Sequence, residues 1–146
     1  MEYTKGRVNR IFVLKFNDDD ILLKELERFA TSEKLRSALI VFLGALKKGD
    51  LVTGPRKPVI PPKPNWTSFK DAWEVFGIGT IFPNKNKPQI HIHTAMGKRT
   101  KTLAGCVRKE SKVFLVLEAV VFELEGVGAS KSPDPKTGLN LLRIVA

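Results

Sequence analysis

The sequence predicts an α+β domain: a mostly antiparallel (mixed) sheet of about seven strands with one main helix packed against it. Three observations carry this expectation. Segments of strand length recur along the chain with turn residues between them, only one segment has helical periodicity, and strands do not alternate with helices as a parallel doubly wound fold requires. At 146 residues the chain is read as a single domain, 1–146, able to bury roughly two-thirds of its unfolded surface.

The elements follow in order. "VNRIFVLKF", 8–16, sets Val8, Ile11, Val13 and Phe16 among polar neighbours and reads as a strand. Asp18, Asp19 and Asp20 suit the N-terminal cap of a helix, and Leu22, Leu26, Phe29 and Ala30 recur at helical spacing, so a helix is expected over about 19–36. "ALIVFLGAL", 38–46, is a short apolar run expected to be a strand buried on both faces, with "KKGD", 47–50, a turn after it. "GPRKPVIPPKPNW" holds five prolines in thirteen residues, which excludes helix and central strand and predicts a stiff extended loop. It lacks the residue order of a minor-groove AT-hook.

"DAWEVFGIGTIF", 71–82, reads as a strand in which Gly77 and Gly79 point the same way and leave that face open to a close neighbour. Their G-x-G is no dinucleotide fingerprint, because a third glycine and a following helix are missing. "QIHIHTAM" is the next strand, between turns at "NKNKP" and "GKRTK". "SKVFLVLEAVVFEL", 111–124, is dense in valine and phenylalanine and predicts a central strand covered on both sides. A last strand is expected near 139–145.

Charge and cysteine usage narrow the functional classes. Lysine and arginine outnumber aspartate and glutamate 25 to 15, a net charge of +10, which attracts phosphate backbones and acidic proteins without identifying either. Arg56, Lys57 and Lys63 in the proline-rich loop, with Lys98, Arg99 and Lys101 in the "GKRTK" turn, are the candidate contacts. No apolar run reaches the ~18 residues needed to cross a bilayer, so no membrane partner is expected. The N-terminus lacks the apolar core of a signal peptide, and a cytoplasmic protein is expected. Cys106 is the sole cysteine, so it is packing, a reactive thiol or a ligand.

The chain's two histidines, His91 and His93, stand two apart in one strand and therefore share a face, with Ile90 and Ile92 on the other. Alone, such a pair reads as a polar surface before it reads as a metal site. If "TLAGCV", 102–107, returns beside "QIHIHT" in a hairpin, Cys106 joins that face, and two imidazoles with a thiolate suit zinc or another divalent transition metal. Three protein ligands would leave a position open. Inert packing of the cysteine is the rival reading. Glu74 and Glu118, carboxylates within largely apolar strands, are candidates to accept the second N–H of a ligating histidine.

The succession of Glu74 with nearby glycines, "PQIHIH", "MGK", "AGCV", the apolar strand containing Glu118, and "DPKTGL" resembles the plants-and-prokaryotes conserved (PPC) domain over roughly residues 8–144. That resemblance implies an α+β domain assembled as a homotrimer. In plants the domain is joined to AT-hooks in nuclear DNA-binding proteins, while prokaryotic members stand alone. Some of those carry a His-x-His pair followed by glycine-glycine-histidine that holds a metal. By position His91 and His93 match the pair, and Cys106 falls on the third histidine, with Ala104-Gly105 in place of the two glycines. The substitution either favours zinc more strongly or marks a site that has been abandoned.

Two functions follow as expectations. One is a trimeric, DNA-binding-like protein acting through basic surfaces on nonspecific nucleic acid or an acidic protein. The other is a metal-dependent enzyme or small-molecule sensor built on His91, His93 and Cys106. A purely structural oligomer is a third.

Overall fold

The computed structural model describes residues 1–108 and 110–145. In chain order the elements are β1 (Arg7–Asn17), α1 (Leu22–Ser32), β2 (Ala38–Pro55), β3 (Pro64–Asn84), β4 (Lys87–Lys98), β5 (Lys101–Val107), β6 (Lys112–Glu125), β7 (Ala129–Pro133) and β8 (Asn140–Ile144). Six strands form one sheet in the order β1-β6-β2-β3-β4-β5, and β7-β8 form a separate two-stranded ribbon. All described pairings are antiparallel. The α+β expectation holds, with eight strands instead of about seven. No described helix is long and apolar enough to cross a membrane.

β2 and β3 are far longer than their apolar runs suggested. "KKGD" is not a turn: β2 passes through it with a register irregularity between Leu46 and Lys48 and stays paired with β3 down to Pro55 opposite Pro64. Gly49 permits this passage, since a Cβ there would stand 2.4 Å from Ser111 Oγ and 3.0 Å from the Phe69 ring. Polar residues are tolerated because only one side of the strand is packed. The prolines stay at the strand ends, where a missing N–H costs no ladder bond.

The lower part of β2 then meets β5, with Leu51 opposite Val107 and Val52 opposite Cys106. Strands β2, β3, β4 and β5 thus curl into a closed unit. Gly105 lets the two backbones approach, because a Cβ there would stand 2.6 Å from the Val52 carbonyl oxygen.

The helix is shorter than expected, and its aspartates do other work. Ile21 occupies the N-cap with no side-chain cap bond. Asp20 accepts the Asn17 N–H at 2.8 Å, and Asp18 accepts the Leu115 N–H and the Lys47 ammonium, each at 2.8 Å. The Asp20 bond closes the β1–α1 turn on itself, and the Asp18 bonds tie it to β6 and β2. At the other end Lys34 has φ 55°, and the Leu35 N–H bonds back to Ala30 O at 2.9 Å, which ends the helix.

Leu22, Leu26 and Ala30 of α1 are fully buried with Ile40, Leu46 and Leu117 of the sheet in one core cluster. Gly77 and Gly79 do leave room on this inner face: the Phe42 ring lies over the first and the Ile92 side chain over the second. The opposite face corrects the sequence reading. Neither β2 nor β6 is covered on both sides, since Val41, Leu43, Phe114 and Leu115 are exposed. Continuous apolar composition here means one face packed on α1 and another, still largely apolar, left open.

Candidate metal centre

The β4–β5 hairpin delivers the expected constellation. His93 lies directly opposite Cys106, so the two side chains share a face, and His91 joins them from two residues earlier on β4. Ile92, between the histidines, is buried in the core and fixes which way they point. Gly105 brings the cysteine strand against β2.

The donors converge. The Nε2 atoms of His91 and His93 are 3.1 Å apart, with ring centroids at 4.9 Å and planes at 76°. Two imidazoles on one tetrahedral ion, each about 2.05 Å from it, hold their nitrogens about 3.3 Å apart. The observed pair is close to that spacing. Cys106 Sγ completes a set in which all three donor atoms lie within 4.8 Å of one another. A thiolate and an imidazole on a shared ion stand about 3.5 Å apart, so a small side-chain rotation completes the fit. The residues present therefore suit a divalent transition ion.

Electrostatics favour neutral imidazole and oppose free thiolate. Burial, followed by the charges of His93, Lys131 and Arg108, holds His91 below its ordinary value. A neutral ring keeps a lone pair for an ion. Burial pushes the Cys106 thiol up, and Arg108 pulls it the other way by less. Metal binding at this cysteine would have to displace a proton.

The cluster opens into a cavity of about 870 Å³. Its walls include Val52, Trp66, Arg108, Leu139 and the prolines Pro55, Pro62 and Pro64. Sequence reasoning missed Trp66 and Arg108. A signal for Arg108 existed, because Cys106 faces the site, Val107 is buried, and strand alternation returns Arg108 to the site face. Trp66 was hidden, since it arrives through the long-range register that sets Val52 opposite both Cys106 and Trp66.

The other predicted residues are not gathered here. Glu74 is exposed, opposite Gly97, four residues along β3 from the Ile78 that faces His93, a separation of about 13 Å. Glu118 is exposed, opposite Lys15 and Leu43, three strands from β4, or about 14 Å. Neither hydrogen-bonds a histidine among the described residues. Of the basic residues, Arg56, Lys57 and Lys63 lie on the β2–β3 loop, and Lys98, Arg99 and Lys101 at the β4–β5 turn. Lys98 is paired with Asp71, and no described contact joins the two groups.

Among solved structures the chain resembles a metal-containing protein of Archaeoglobus fulgidus, with 22% identity, a TM-score of 0.86, and coverage of 98% of this chain and 99% of that one. It resembles a plant- and prokaryote-conserved (PPC) protein of Pyrococcus horikoshii at 20% identity and TM-score 0.85, over 100% and 99% of the two chains. A third structure, from Bacteroides thetaiotaomicron and provisionally named a DNA-binding protein, has 20% identity, TM-score 0.77 and coverage of 98% and 99%. At these identities the likeness establishes the fold. No curated protein matches the chain significantly in sequence. The family model of the Plants and Prokaryotes Conserved (PCC) domain matches residues 3–125, and the chain belongs to that family.

Proposed function

We propose that the protein binds a divalent transition metal on His91, His93 and Cys106 and uses it to hold a small molecule, as a sensor or an enzyme. The observation that carries this reading is the pair of imidazole nitrogens 3.1 Å apart, with a cysteine sulfur beside them, on the wall of one large cavity. Two borderline nitrogen donors and a soft thiolate favour zinc. When bound, such an ion supplies Lewis acidity toward an oxygen or nitrogen of the ligand. The chain's own residues orient the donors, flank them with Val52, Trp66 and the prolines, and place the Arg108 cation on the same cavity wall. A cysteine kept reduced for this purpose suits the cytoplasm.

Elemental analysis of protein purified without added metal tests the reading. About one equivalent of transition metal per chain, lost in His91→Ala, is expected. Less than about a tenth of an equivalent, unchanged by His91→Ala, would remove it.

The assembly we infer is a homotrimer formed through the open apolar face of the sheet. Its support is the exposure of Val13, Val41, Leu43, Phe76 and Ile78 on that one face, since apolar side chains gathered on an open face mark an interaction surface. Light scattering should give three chains per particle, and a monomer across micromolar concentrations would sink the inference. A second reading, nonspecific contact with nucleic acid, rests on the +10 charge and the two basic loops. Such binding would be steeply salt-dependent. A fluorescent duplex left unbound by micromolar protein at ~50 mM salt removes it.

A further inference from the structure

The cavity has a chemical character that the three donors alone do not explain. Beside them stand a cation and an aromatic: the Arg108 guanidinium lies 6.0 Å from the centroid of the Trp66 ring. The backbone of Arg108 is pinned, because its N–H donates to Asp50 O at 2.9 Å and its carbonyl accepts from Ser111 Oγ at 3.0 Å. The side chain, by contrast, has no carboxylate partner among the described residues. Trp66 is 56% exposed although it lines a concavity. An indole and three prolines form an apolar wall, and beside it a forked cation stands with its donors unspent.

Charge points the same way. Arg108 lines the cavity, and no carboxylate stands among the described residues that line it with Arg108. Two neutral imidazoles and one thiolate would leave a divalent ion with a net positive charge, adding to that of Arg108. An anion is therefore favoured at the cavity's cationic side. The apolar wall, in turn, favours an organic body over a small hydrated ion.

We propose that this cavity binds a small aromatic or otherwise apolar carboxylate, the carboxylate held by the Arg108 guanidinium and the apolar body laid on Trp66, Pro62 and Pro64. The inference names the ligand class of the site described above and so rests on the metal reading. Arg108 and Trp66 select the ligand, and the donor cluster lines the same cavity beside them.

Calorimetric titration of benzoate and benzamide into the full-length, zinc-loaded chain tests the proposal, with zinc content measured in every sample. Benzoate should bind saturably and benzamide at least ~10-fold more weakly. Arg108→Gln should weaken benzoate roughly ten- to a hundred-fold while the zinc content is unchanged. Arg108→Lys should recover only part of the loss, because the ammonium keeps the charge without the fork, and Trp66→Leu should weaken benzoate and benzamide alike. If zinc is retained but benzoate ignores Arg108→Gln, or benzamide binds equally well, the carboxylate site is overturned and the metal reading stands. If the chain takes up no zinc yet binds benzoate through Arg108, the metal reading falls and the carboxylate site survives. Inorganic phosphate displacing benzoate at equal affinity would overturn the assignment to organic carboxylates.

Discussion

The two faces of the sheet are both rich in apolar side chains and have opposite fates. The inner face buries Ile40, Phe42, Leu117 and Val121 with α1, while the outer face leaves Val13 80%, Phe76 69% and Leu43 59% exposed. One row of cross-strand partners shows where the outer face leads. Val13, Val120, Val41, Ile78, His93, Cys106, Val52 and Trp66 succeed one another across the sheet and around its closure. Bare hydrocarbon at one end passes into metal donors and then into the cavity wall. The inner face holds the chain folded, and the outer face carries the His-His-Cys cluster.

Substitutions can break that division. Phe42→Ala removes a fully packed ring over Gly77 and should cost about 3–5 kcal/mol in urea denaturation; a loss below ~1 kcal/mol would mean the inner face is not the stabilising one. Gly105→Val forces the β5 backbone away from the Val52 carbonyl and should cost about 1–3 kcal/mol. It should also weaken zinc binding, because the strand that positions Cys106 shifts; unchanged zinc affinity would separate the closure from the site. His93→Ala should lower zinc affinity by more than the ten- to a hundred-fold typical of losing an outer partner, with chain stability nearly unchanged in metal-free protein. Equal affinity in a chelator competition would show that His93 is no ligand.

The smaller effects sharpen the comparison. Phe76→Ser, on the outer face, should change the stability of dilute chain by no more than ~0.5 kcal/mol while reducing the mass seen by light scattering. A preserved mass would acquit this face of any role in assembly. The smallest effect belongs to acid. Lys47, through its hydrogen bond to Asp18, and then the Leu115 N–H hold the Asp18 carboxyl below its ordinary 3.8, and Arg10 first holds Glu123 below 4.5. Folded values below unfolded ones mean that these groups stabilise in full above about pH 4.5 and lose that contribution as pH falls through the lowered folded values. Asp18→Asn should flatten the acid limb of a stability profile, and an unaltered limb would show that the carboxyl is not linked to folding. Salt should shrink the effect, because Asp18 is exposed.

Much of this was legible in the sequence, for local reasons. The hairpin follows from "QIHIHTAM", a turn, and "TLAGCV"; strand alternation sets His91 and His93 on one face, and the hairpin register brings Cys106 to it. The helix was legible in Leu22, Leu26 and Ala30. Its cap was not, because aspartates that can cap a helix can equally close a turn, as Asp20 does, or tie it to neighbouring strands, as Asp18 does. The open face was misread since Val41, Leu43 and Phe114 look like core in any one-dimensional pattern, and only the position of α1 decides which side is packed. Trp66 and the β2–β5 closure depend on pairings between residues far apart in sequence, which local pattern does not encode.

The three donors lie within residues 91–106, on one hairpin with a tight turn between Lys98 and Lys101. Gathering them closes only a short loop, at small entropic cost. A ligand set scattered along the chain would be available to an ion only after folding, and the whole binding energy would then favour the native state. Here the unfolded chain can already grip the ion through the same short segment, which reduces how much the metal adds to stability. The same economy makes the hairpin the part of the chain that an ion can organise first. Refolding rates measured with and without zinc report on this directly: acceleration marks a hairpin formed early, and indifference marks one formed late.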